Sequence, residues 1–185
     1  PVTSWVLAAT PQNMPDAQGN ILFPEAQYID SLPYGYNRAK LTWYRIDNLF
    51  QDNNSSSIPA HIKNNAAEQK SPFTALVLQK DIFPEKGVNT TEYLLAPITL
   101  ALYPNERGPY NYDTVTLDSA GHLLNPEKRW AGVMRRIENT NFENSNIEFL
   151  EFWMLDPYFD NPAHDGGDFY IQFGKPRGTR VERSQ

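Results

Sequence analysis

One run, Asn146–Asp156 (NIEFLEFWMLD), restricts the fold of this chain more than any other stretch. Ile147, Phe149, Trp153 and Leu155 share one parity, interrupted by Glu151, while Leu150, Phe152 and Met154 share the other. A strand that is apolar on both parities has to be covered on both faces, which places it inside a sandwich and not at its rim. β-branched and aromatic residues dominate, and no Gly or Pro breaks the run, so strand is favoured over a buried helical turn.

The rest of the chain reads as short strands between strong breakers. Residues 1–31 hold Pro11, Pro15, Gly19 and Pro24 and are predicted as an extended N-terminal segment packed on the domain, with a short strand at Trp5–Ala9. Ala39–Asp47 alternates on both parities and is a second buried strand. Gln51–Ser57 (QDNNSSS) is a polar, low-complexity mobile loop. Residues 59–70 have the composition of a short helix. Phe73–Phe83 keeps i, i+3, i+4, i+7 spacing at Phe73, Leu76, Val77 and Lys80 and is predicted helical, with Pro84 as its stop.

Further on, Pro97–Tyr103 alternates with Ile98, Leu100 and Leu102 inward, and Asn105–Tyr112 is a compact turn. Thr114–Leu117 and His122–Leu124 form a hairpin around Asp118–Gly121. Trp130–Ile137 and Phe169–Phe173 complete about seven strands. The pattern predicts a mainly-β fold: an antiparallel β-sandwich of jelly-roll or galactose-binding-like type, over residues 32–174, with one or two short helices. Residues 175–185 (KPRGTRVERSQ) form a basic tail, expected to be disordered.

Composition excludes some functions. The chain of 185 residues is long enough for one cored domain, and its lack of Cys excludes thiolate nucleophiles and Cys-based zinc sites. A net charge of −6 argues against general nucleic-acid binding, which needs surplus Lys and Arg. No apolar run reaches the ~18 residues of a transmembrane helix. The chain opens at Pro1 without an initiator Met or signal peptide, and is expected to be a piece of something longer or a processed product.

Candidate sites are sparse. Asp156, Asp160, Asp165 and Asp168 offer hard oxygen donors on one loop, the chemistry of a Ca²⁺ site, although Asp beside Pro and Gly is foremost a turn former. Glu148 and Glu151 lie three apart on a strand and point to opposite faces, so they cannot flank one glycosidic bond. His61, His122 and His164 are scattered and sit in no catalytic signature. The many Tyr and Trp residues suit core packing and protein contacts, or a row of exposed rings for stacking on sugars.

The segments LPYGYNRAKLTWYRID (Leu32–Asp47), YPNERGPYNY (Tyr103–Tyr112), NPEKRWAGVMRR (Asn125–Arg136), NIEFLEFWMLDPY (Asn146–Tyr158) and GGDFYIQFG (Gly166–Gly174) occur in this order. Together they resemble the SprA (Sov) family, the outer-membrane translocon of the type 9 secretion system of Bacteroidota. The resemblance implies a non-catalytic structural and interaction domain acting in protein secretion and gliding motility. It also implies a place in the outer membrane or at the cell surface, with the rest of the translocon, a PorV-type shuttle and a plug protein as partners. No cofactor is implied. The chain is too short for the giant barrel and can be only a non-membrane module of it. Trp43, Arg107, Tyr110, Trp130, Arg135, Phe152 and Trp153 are the expected scaffold residues, with Arg107 and Arg135 pairing Glu106, Glu148 or Asp156. Two other roles stay open: a carbohydrate-binding jelly roll with a Ca²⁺ brace, and a hydrolase using Asp and Glu.

Overall fold

A computed structural model describes residues 4–86, 94–137, 148–159, 161, 163–164 and 166–172. Among them are four strands: β1 (Trp5–Leu7), β2 (Ala39–Tyr44), β3 (Thr99–Arg107) and β4 (Val133–Arg135). They form two small sheets, β1–β4 and β2–β3. The first is antiparallel, with Trp5 opposite Arg135, Val6 opposite Met134 and Leu7 opposite Val133. Two short α-helices, α1 (Ala66–Lys70) and α2 (Gln79–Ile82), and several 3-10 turns fill the connections. Few helices and a few antiparallel strands are therefore present, and the described residues do not assemble a mainly-β sandwich.

The chain divides into two compact units. Unit 1 comprises Pro1–Leu41, Leu102–Leu150 and Asn161–Gln185; unit 2 comprises Thr42–Ala101 and Glu151–Asp160. In unit 1 the N-terminal segment supplies much of the core: Met14, Phe23 and Ala26 are buried, as are Ala39 and Leu123. Phe23 sets its ring edge-on to Trp130 at 5.5 Å and to Tyr170 at 6.2 Å.

Unit 2 buries Ile58 and Ile62. Its polar loop, expected to be mobile, is stitched back on itself. Asn53 Oδ1 accepts from the Asn64 N–H at 2.8 Å and from Gln69 Nε2 at 2.7 Å, and Gln51 Nε2 donates to the Gln69 carbonyl at 3.0 Å. Amide side chains can replace absent secondary structure as partners for turn backbone, which a composition argument overlooks. α1 falls where composition put it, capped by the Asn65 side chain on the Glu68 N–H. The helix expected over Phe73–Phe83 shrinks to α2, because Leu78 enters extended and forms a bridge with Leu94.

Two other expectations are corrected. β3 runs straight through Pro104 to Arg107, so the turn expected from Asn105 begins only at Gly108. The described part of the central strand, 148–156, adopts no ladder geometry and is exposed throughout. Phe149 is 78% accessible and Trp153 72%, with Leu150, Phe152, Met154 and Leu155 each more than half exposed. The physical reason lies in the pairing: among the described residues each sheet has two strands, and they supply no second layer to cover a two-faced apolar strand. Asn146 and Ile147, at its start, lie outside the described residues, as do Phe173 and the 175–185 tail.

Candidate functional site

Three segments of unit 1 meet where residues 35–39, 108–113 and 129–130 are knotted by backbone hydrogen bonds. Gly108 N–H donates to the Arg38 carbonyl (3.1 Å), Ala39 N–H to the Trp130 carbonyl (2.8 Å), and Trp130 N–H to the Asn37 carbonyl (3.0 Å). Glycine is required at two of these crossings. A Cβ on Gly35 would overlap the Tyr110 carbonyl, and one on Gly108 would overlap the Ala39 carbonyl. Irregular backbone brought this close needs its remaining polar groups satisfied by side chains.

Buried polar side chains do this. Asn111 donates both amide hydrogens, to the carbonyls of Tyr36 (2.9 Å) and Arg38 (2.7 Å), and its Oδ1 accepts the Asp113 N–H at 3.0 Å. Arg129 spreads its guanidinium over the carbonyls of Leu124 (2.9 Å) and Tyr36 (2.7 Å), the Asn37 side chain (3.2 Å) and the Thr116 hydroxyl (2.7 Å). Its charge faces Asp113 Oδ2 at 3.7 Å, both side chains being only 3% exposed. Asp113 Oδ1 in turn accepts the N–H groups of Val115 (2.8 Å) and Thr116 (3.1 Å), and Oδ2 the Thr116 hydroxyl. Burial raises the Asp113 carboxyl, but those three hydrogen bonds and the Arg129 charge outweigh it and hold it below the usual carboxylate range.

A second buried cation sits beside this one. Arg38 donates to the Ala8 carbonyl (3.0 Å) and the Thr10 hydroxyl (3.4 Å) and lies 5.1 Å over the Trp130 ring and 6.0 Å over Tyr34. Trp130 donates its indole N–H to Glu25 Oε1 at 3.0 Å. Among the described residues, Glu25 Oε2 and Arg38 Nε are buried without a hydrogen-bond partner. Burial pushes the Arg38 guanidinium down, and the Tyr34, Tyr110 and Glu25 groups act in the opposite sense.

From this pinned framework two rings project. Tyr110 is 69% exposed and holds a left-handed backbone (φ 61°), and Tyr112 is also exposed. A non-glycine residue at such φ costs energy and persists only where its surroundings dictate it, here the locked Asn111 between the two tyrosines.

The structure distributes the residues singled out from the sequence. Trp130 is the centre of the node. Tyr110 is its exposed rim. Trp43 is half-buried on β2, and Arg107 and Arg135 are exposed at the ends of β3 and β4. Glu106, expected to pair with Arg107 or Arg135, binds Lys40 Nζ at 2.5 Å, on the surface. Phe152 and Trp153, expected in the core, are exposed, Trp153 meeting the Phe83 ring edge-on at 6.4 Å. Asp156 and Asp168 act as local partners: Asp156 Oδ1 accepts the Tyr158 N–H (2.9 Å) and Asp168 Oδ2 the Tyr170 hydroxyl (3.0 Å). Asp160 and Asp165 lie outside the described residues, among which no group of three or more His, Asp or Glu side chains is positioned to hold a metal. His122 is engaged with Asp118 at 3.0 Å in the hairpin loop.

Sequence reasoning missed Arg129, Asp113 and Asn111. A local signal existed for Asp113, since Asp followed by Thr three residues later is a side-chain capping pattern. Nothing local marks Arg129 as buried. No protein-family model matches this chain, and no curated protein matches it.

Proposed function

We propose that the chain is a non-catalytic structural and interaction module of a SprA-like outer-membrane protein translocon, serving type 9 protein secretion and gliding motility at the cell surface. The ordered motifs from Leu32 to Gly174 support the family. The exposure in unit 2 of a strand-forming run apolar on both parities, from Phe152 to Leu155, is the observation that carries the role. Contiguous apolar surface of this kind marks a contact site. In the assembled translocon this run takes strand geometry and closes a jelly-roll-type sandwich with strands from neighbouring parts, the PorV-type shuttle and plug protein being partners by resemblance. The role requires no cofactor.

The test is genetic. In a gliding member of the Bacteroidota, Phe152→Asp with Trp153→Asp in the corresponding translocon module is expected to abolish cargo secretion and colony spreading while translocon abundance is maintained. Undiminished secretion and spreading in that strain would overturn the role.

A second reading, glycan binding by the jelly roll, draws on one observation: Tyr110 and Tyr112 are held out from a rigid loop. A glycan array repeated with a chelator covers this reading and its Ca²⁺ brace. Binding lost in Tyr110→Ala supports it, and a blank array removes it.

A further inference from the structure

We propose that the exposed run Phe152–Leu155 in unit 2 receives an extended polypeptide segment of another protein, one bearing Lys or Arg beside apolar residues. This deepens the interaction role proposed above and rests on it. Four consecutive large apolar side chains, each more than half exposed, form surface that water solvates poorly. The run contains neither Gly nor Pro and is rich in strand formers, so an extended occupant aligned along it fits better than a helix.

Charge decides which extended segment. Glu151 and Asp156 bracket the run, and both are exposed. From Ile137 to Gly174 the sequence holds eight Asp or Glu residues and no Lys or Arg, in a chain whose whole net charge is −6. An acidic occupant would meet like charges at both ends, whereas a basic one finds a carboxylate at each. The aromatic faces point the same way. Trp153 stands edge-on to Phe83, whose ring the ammonium of Lys86 approaches at 5.8 Å from its centre, a single like charge against the two carboxylates that bracket the run. Trp is the strongest cation–π acceptor among the side chains, and Trp153 is 72% exposed.

The experiment uses the full chain and three short fluorescent peptides with the same alternating Val and Tyr residues, interleaved with Lys, with Glu or with Ser. Anisotropy is expected to show the Lys peptide binding at least about tenfold tighter than the Glu peptide, with the gap narrowing as salt is raised. Trp153→Ala and the double reversal Glu151→Lys, Asp156→Lys are each expected to remove that preference with at most a small shift of Tm, since all three residues are exposed. Equal binding of the three peptides, binding of none, or a Lys preference that survives both variants would overturn the proposal. A Lys peptide that binds only after residues 175–185 are deleted would also overturn it, by making the chain's own basic tail the occupant. Peptide selectivity without any secretion defect would instead overturn the translocon role and leave this surface standing.

Discussion

Arg129 and Trp153 occupy each other's expected places. In unit 1 the permanently charged residue Arg129 is 8% exposed, while in unit 2 Trp153 is 72% exposed. The first is tolerable because Arg129 makes four hydrogen bonds, to two carbonyls, a side-chain amide oxygen and a hydroxyl, and faces the Asp113 carboxylate at 3.7 Å. The second meets the Phe83 ring edge-on and still leaves most of its surface to water. An apolar run of this length left in water costs free energy, and a partner that covers it recovers that cost. Unit 1 thus answers its buried charge with its own polar groups, while the described residues leave the run in unit 2 more than half exposed, the surface proposed above to take a partner.

The strongest way to break this comparison is to remove one half of the buried pair. Asp113→Ala leaves the Arg129 charge buried without its counter-ion and is expected to cost about 3–5 kcal/mol, read from the denaturant midpoint. Acid probes the same pair. Because the folded Asp113 carboxyl is held below its ordinary value, its contribution is fully present above roughly pH 4 and disappears as pH falls through the depressed value. Stability should be nearly level from neutrality to about that pH and then fall. Asp113→Asn, which carries no titrating group, should flatten the acid limb.

Smaller effects sharpen the picture. Gly35→Ala drives a methyl into the Tyr110 carbonyl and is expected to cost about 1–3 kcal/mol through displaced backbone. Tyr110→Asn should go the other way, by about 0.5 kcal/mol of stabilisation, because Asn tolerates the left-handed φ and the ring is mostly exposed. Asn125 already occupies such a conformation at φ 55°. Smallest of all, Trp153→Ala should change the midpoint by no more than about 0.5 kcal/mol, as for surface substitutions generally. A loss of several kcal/mol there would put Trp153 back in a core.

The sequence made some of this visible. Alternation identified β2 and the first half of β3, and composition identified α1, because those signals are local. Asp118–Gly121 was readable as a hairpin loop, and the structure pairs Leu117 with Leu123 across it. The two-faced pattern of 148–156 was read as a strand buried inside a sandwich, and the described residues instead leave it exposed and without ladder geometry. Periodicity reports that a run is apolar on both parities but not whether its own chain covers it. The node was illegible for a different reason. Arg129 reaches the Tyr36 carbonyl, 93 positions away, and Trp130 reaches Glu25 across 105. Periodicity carries no record of which distant carbonyl a guanidinium satisfies.

Hydrogen exchange on the chain alone tests the central claim most directly. The account expects the amides of Ala39, Gly108 and Trp130, donated to carbonyls at the node, to be among the slowest, and those of 149–155 to exchange far faster. Protection of 149–155 equal to that of the node would mean the run is already sealed, and would contradict it.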